Sequence, residues 1–169
     1  MLVRREVIDR VGLFDPKFFA YFEETDFCMR VWLAGWRVCY EPASRIYHAG
    51  GASSLQQPSS SIVYHSSKNV LATYLRNFSW PRALCSISTM LFLYMVWIAI
   101  SIMTGKWAVA SAVVRAIGWN IRYLGETIST RRYIQQDLRV RPDEAFLPSL
   151  IHPVHFQYYF EQFFGKLRR

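Results

Sequence analysis

Three carboxylates, Glu23, Glu24 and Asp26, lie within four residues, and Arg30 follows one helical turn after Asp26. Carboxylates so close together can take a proton from a hydroxyl, orient a neighbouring guanidinium or bind a cation. Their mutual repulsion is also a condition under which one of them can hold a proton near neutral pH. Further along, His48 precedes Gly50 and Gly51, a small-residue turn after an imidazole that can act as a metal ligand. The bland alternative is that the three acids only begin a helix and face water, where they suit its dipole. For His48 it is a strand-end histidine satisfied by backbone. His65, His152 and His155 fall in no such pattern and read as surface or interfacial residues.

The surrounding elements must carry these groups. Residues 5–11 have helical periodicity ended by Gly12, and Asp15-Pro16 reads as a turn. The aromatic residues Phe18, Phe19, Tyr21 and Phe22 are too dense to leave in water and are expected to pack beneath the acids. Phe27, Val31 and Ala34 recur at helical spacing, so a helix is predicted over 24–34, with Thr25 as its N-cap and Gly35 as its stop. Residues 36–40 alternate like a half-buried strand, and 45–48 read as a second one. A Ser/Gln/Pro-rich loop over 53–61 leads to a helix over 62–77, with Lys68 and Arg76 on its polar side.

Composition then changes. The whole chain is 52% hydrophobic and only 19% charged, unlike an ordinary soluble domain. Residues 1–57 hold seven basic and seven acidic residues, and 58–82 hold three basic and none acidic. Residues 83–103 carry no charge, and 104–169 carry ten basic against five acidic residues. As a helix, 83–103 would be ~31 Å long, enough for the hydrocarbon core of a bilayer. Basic residues on both flanks suggest anionic lipid headgroups. No basic helix with interleaved aromatics and no zinc-finger spacing points to nucleic acid. A single crossing would place Arg131, Arg132, Arg139 and Arg141 opposite Arg76 and Arg82, against the positive-inside tendency. A helical hairpin, or helices lying in the interface, keeps both flanks on the cytoplasmic side of an inner membrane, and is preferred. Cys28, Cys39 and Cys85 form no CxxC pair and read as buried free thiols of a reducing compartment.

The linked motifs Glu23-Glu24-Thr25-Asp26-Phe27-Cys28-Met29-Arg30, Ala34-Gly35-Trp36-Arg37 and His48 ahead of Gly50-Gly51-Ala52-Ser53 resemble the C-terminal half of a family 2 glycosyltransferase of the bacterial rhamnosyltransferase-like type. The resemblance covers residues 1 to about 77. It implies an α/β fold: the acceptor-side half of a GT-A domain over 1–79, then membrane-associated helices over 80–128 and a basic, aromatic cytoplasmic-side tail over 129–169. It further implies an inverting transfer from a nucleotide-diphosphate sugar to a hydroxyl of a cell-surface glycan or lipid-linked acceptor. Glu24 would be the catalytic base, with Glu23, Asp26 and Arg30 supporting the acceptor site. His48 would help hold Mg²⁺ or Mn²⁺, bound mainly by the donor half. The sequence contains no Asp-x-Asp and no Gly-rich strand–helix turn, so the donor half is expected to be missing and the isolated chain to lack a nucleotide pocket. Two alternatives stay open: a non-catalytic membrane-anchored interaction module, or one subunit of a split transferase whose partner chain supplies the donor half.

Overall fold

A computed structural model describes residues 1–45, 47 and 58–150. Its elements are helices: α1 (Arg5–Val11), α2 (Glu23–Leu33), α3 (Ser59–Asn77), α4 (Trp80–Met103), α5 (Trp107–Arg122), α6 (Leu124–Arg132) and the short α7 (Leu147–Leu150). Single 3₁₀ turns occupy Pro16–Phe18 and Asp143–Ala145, and a π-helical segment, Tyr133–Leu138, continues α6. There is no strand and no sheet among the described residues. The expected α/β architecture with half of a GT-A domain is therefore overturned.

The physical reason is visible at residues 36–40. Their alternation suits a strand, but a strand exists only when a neighbour takes up its backbone donors and acceptors. Here Trp36 donates its N–H back to the Val31 carbonyl at 3.1 Å, and residues 37–40 run exposed along the surface. Of the second expected strand, 45–48, only Arg45 and Tyr47 are described, and neither is in a strand.

Two clusters hold the helices together. In the first, Val7 and Val11 of α1 and Phe27, Val31 and Leu33 of α2 meet Ile134 and Leu138 of the π-helical segment, together with Phe146. Each such side chain contributes about 1.5–3 kcal/mol on burial. Residues more than a hundred positions apart thus share one core, and backbone contacts reinforce it. Val140 and Arg141 donate to the Leu33 carbonyl, Arg10 Nη2 donates to the Asp137 carbonyl at 2.7 Å, and Tyr133 Oη donates to the Arg10 carbonyl. In the second cluster Leu71 of α3, Tyr94 of α4 and Val113 of α5 pack with Val63, Met90, Ile98 and Ile117. There α5 folds back on α4 through the Thr104–Gly105–Lys106 turn, whose glycine takes φ +71.

The π-helical segment ends where Arg139 donates to the Ile134 carbonyl five residues back. The last turn of α6 and the segment itself each deliver one side chain to the C-terminus of α3. Arg131 donates to the carbonyls of Leu75 and Phe78, and Gln135 donates to those of Arg76 and Asn77 at 3.0 and 2.9 Å. These carbonyls have no partner within the helix, so a distant segment caps α3. The expected polar face of α3 is also corrected, because Lys68 and Arg76 are both buried. So is the picture of three buried thiols: Cys39 and Cys85 are exposed and Cys28 is half-buried, all unpaired.

Candidate functional site

Helix α2 starts at Glu23, two residues before the expected cap at Thr25. Its N-cap is Phe22, in the left-handed region at φ +68, with no side-chain hydrogen bond to the free N–H groups. Glu23, Glu24 and Asp26 in the first turn give those donors the negative charge they favour. The approach is unusual. Phe19 (φ +64), Tyr21 (φ +67) and Phe22 (φ +68) all take positive φ without being glycine, a costly backbone that persists only when its surroundings impose it.

Helix α3 imposes it. Asn69, fully buried, donates through Nδ2 to the carbonyls of Phe18 at 3.0 Å, Ala20 at 2.9 Å and Tyr21 at 2.6 Å. Lys68 Nζ donates to the Lys17 carbonyl at 2.6 Å and lies over the Trp119 ring at 4.7 Å. Arg76 pairs with Asp15 at 2.7 Å and covers the ring of Phe18. Of the expected aromatic floor, Phe18 is buried, Tyr21 and Phe22 are half-buried, and Phe19 is 70% exposed against His65. Burial, then the charge of Lys68, hold His65 below its ordinary value, so it is a neutral imidazole at pH 7.

Helical periodicity separates the three acids. Glu24 and Asp26 are about 200° apart around the axis. Asp26 turns inward and is 2% exposed. It accepts from Arg30 Nε at 2.9 Å and from Asn77 Nδ2 at 2.8 Å. Arg30 in turn donates to the carbonyls of Val11 and Leu13, tying the chain before the turn to α2. Glu23 is half-buried, with Oε2 enclosed and without a hydrogen-bond partner among the described residues. Glu24 faces outward and is exposed. Its face continues through Cys28 and Val31, which with Val7, Phe27 and Trp36 line an open groove of about 1550 Å³. Burial, then the charge of Glu24, push the Cys28 thiol above its ordinary value, so it stays protonated and inert.

His48, the expected metal ligand, lies outside the described residues. Among the described residues no three His, Cys, Asp or Glu side chains converge where they could hold a metal ion. Those residues do not fit Mg²⁺ or Mn²⁺, and no step below runs through one. The residues that hold the acidic turn, Lys68, Asn69 and Asn77, were not singled out from the sequence as site residues. The available signal was Asn69, Thr73 and Asn77 at four-residue spacing, a polar stripe on a helix that must bury that face.

With this geometry in view, the relatives are informative. The chain is 32% identical over 83 residues, 49% of its length, to N-acetylglucosaminyl-diphospho-decaprenol L-rhamnosyltransferase of Mycobacterium tuberculosis, in strain CDC 1551 / Oshkosh and in strain ATCC 25618 / H37Rv. Half of the chain resembles a glycosyltransferase. The aligned stretch is 27% of each relative's length, so the chain spans about a quarter of the proteins it matches. No family model matches the chain, and no solved structure matches it.

Proposed function

We propose that this chain is the acceptor-side portion of a membrane-associated glycosyltransferase in which Glu24 is the general base. The observation that carries the reading is the placement of Glu24. It is exposed on the first turn of α2, one helical turn before Cys28, which lines an open groove, and behind a backbone turn that α3 holds through three hydrogen bonds. A base needs that combination of access and fixed position. In the reaction an acceptor hydroxyl oxygen attacks the anomeric carbon of a nucleotide-diphosphate sugar. Its proton passes to Glu24, and the nucleotide diphosphate leaves with the bonding electron pair from the opposite face, which inverts the configuration. Asp26 acts through Arg30, keeping α2 and the chain before it in register. The relatives' name, with its diphosphate-linked polyprenol, supports a lipid-linked acceptor here, and the apolar α4 supports attachment to a membrane; an inner membrane with the site on its cytoplasmic side is part of the proposal.

The test is sugar transfer by the native polypeptide in membranes of its source cells, wild type against Glu24→Gln. Loss of about a hundredfold or more is expected, with the variant still folded and membrane-bound. Transfer by Glu24→Gln at the wild-type rate removes Glu24 as the base. A second reading is favoured by the groove itself, whose lining exposes Met1, Leu2, Val38 and Tyr40 beside the half-buried Trp36. In it, a donor-binding polypeptide covers the groove, and the chain works as one part of a split transferase or as a non-catalytic docking module. Co-purification of a nucleotide-sugar-binding chain supports the split enzyme. A stable partner with no nucleotide affinity supports the docking module.

A further inference from the structure

Helix α4 is 24 residues long with a mean hydropathy of 2.1 over its most apolar window, and only 11% of that window is buried inside the molecule. By length and composition it could cross a bilayer. Its neighbours argue otherwise. Tyr94, near the middle of α4, donates its hydroxyl to the Ser67 carbonyl of α3 at 3.1 Å. Leu71 and Val63 of α3 pack in the same cluster as Ile87, Met90 and Ile98. The midpoint of α4 is therefore level with the stretch of α3 that carries Lys68 and Asn69. Asn120 of α5 donates to the Lys68 carbonyl at 3.0 Å, and Lys17, bonded to Lys68 through its carbonyl, pairs with Glu126. A crossing α4 would draw this whole charged layer to the depth of the hydrocarbon centre, where such groups are costly unless they line a cavity.

Helix α5 shows the orientation that avoids this. Trp107, Val114 and Ile121 form an exposed apolar stripe at seven-residue spacing. Beside it runs an exposed stripe of Ser111, Arg115, Gly118 and Arg122. An apolar stripe bordered by arginines is the pattern of a helix lying at the headgroup boundary, with its basic edge on lipid phosphates. On α4 the inward line is Ala83, Tyr94 and Ser101, and the opposite side exposes Phe92, Val96, Ile100 and Met103. Between residues 83 and 125 the charges are Lys106, Arg115 and Arg122, with no acid to repel an anionic surface.

We infer that α4 and α5 lie in the plane of an anionic bilayer, inserted along one side, with α3 as the layer facing water, and that neither helix crosses. The inference deepens the membrane attachment proposed above, and its test does not depend on sugar transfer. The full chain carrying Cys39→Ser and Cys85→Ser, with Lys106→Cys or Glu6→Cys added, is bound to vesicles from outside and treated with a membrane-impermeant maleimide. Cys28, half-buried, is controlled by the background without an added cysteine. Position 106, in the α4–α5 turn, is expected to label from the same side as position 6 and without permeabilisation. Labelling of position 106 only after permeabilisation shows that the hairpin crosses, and overturns the inference.

The second measurement is partition onto vesicles of phosphatidylcholine alone against mixtures with phosphatidylglycerol. Binding is expected to favour the anionic vesicles. Arg115→Ser with Arg122→Ser, both at exposed positions, is expected to weaken it roughly tenfold or more. Equal binding to the two vesicle types overturns the role of the arginine stripe. No binding to either, with self-association into dimers, overturns the inference and assigns the apolar face to a second copy of the chain.

Discussion

At the scale of single residues, the acidic motif divides into a group that meets solvent and a group that holds the scaffold. Asp26 and Arg30 are 3% and 8% exposed as side chains and are joined at 2.9 Å. Removing one member of such a pair leaves the other charged, buried and uncompensated. Asp26→Ala is expected to cost about 3–5 kcal/mol in chemical unfolding, far more than Glu24→Gln, whose effect should be confined to activity. Asn69 makes a sharper case, since its one amide group supplies three carbonyls of the turn before Glu23. Asn69→Ala is expected to cost about 1–3 kcal/mol or more and to speed amide exchange across residues 19–24 while leaving the middle of α3 protected. Asn69→Asp keeps the size but puts an acceptor against those carbonyls, and should do no better. Exchange unchanged in both variants would mean that the turn is held by something other than Asn69.

At the scale of elements, what the sequence made legible was local, and what it concealed depended on distant partners. Helix α1 ends where expected because Gly12 terminates it within its own turn, donating to the Ile8 carbonyl. The start of α2 was misplaced because its cap is a left-handed Phe22, which composition does not favour. The strand over 36–40 failed because alternation describes one strand and says nothing of whether a second exists to pair with it. The cap on α3 comes from Arg131 and Gln135, more than fifty residues on, and no local pattern announces it. Gly35, expected as a helix stop, has a second role the sequence does not show. It takes φ +91, and a Cβ placed there would come within 3.0 Å of Val140 Cγ2, where residues 140–141 hydrogen-bond to Leu33. Gly35→Ala is accordingly expected to cost about 1–3 kcal/mol, read as a lower thermal midpoint, with the loss concentrated in the docking of residues 139–147.

At the scale of the whole molecule, two aspartates join parts of the chain that composition keeps separate. Asp15 ties the turn before the acidic motif to Arg76 of α3. Asp143, fully buried, accepts from the Ser79 N–H and hydroxyl at 2.9 and 2.7 Å and from Arg139 at 2.6 Å, so it fastens the C-terminal segment to the junction of α3 and α4. Burial pushes both carboxyls up. For Asp143 the hydrogen bonds of Ser79 and Arg139 outweigh it, and for Asp15 those of Lys17 and Arg76 do, so both end below the ordinary value of 3.8. A carboxyl held low in the folded state stays charged there at pH values where the unfolded chain takes up a proton. Its contribution is full above the unfolded value and is lost as pH falls through the folded one. The protein is therefore expected to hold its thermal midpoint from neutrality down to about pH 4–5 and to lose it progressively below that. Asp143→Asn should lower the midpoint at pH 7, because Arg139 loses its charged partner and Arg82 keeps only Glu144, and should flatten the decline below pH 4. Midpoints followed by circular dichroism in a nonionic detergent, pH by pH, separate the two effects. A variant whose acid limb runs parallel to that of the wild type would mean that Asp143 is not among the groups whose protonation unfastens the C-terminal segment, and that the acid limb arises elsewhere, with Asp15 the next carboxylate to replace.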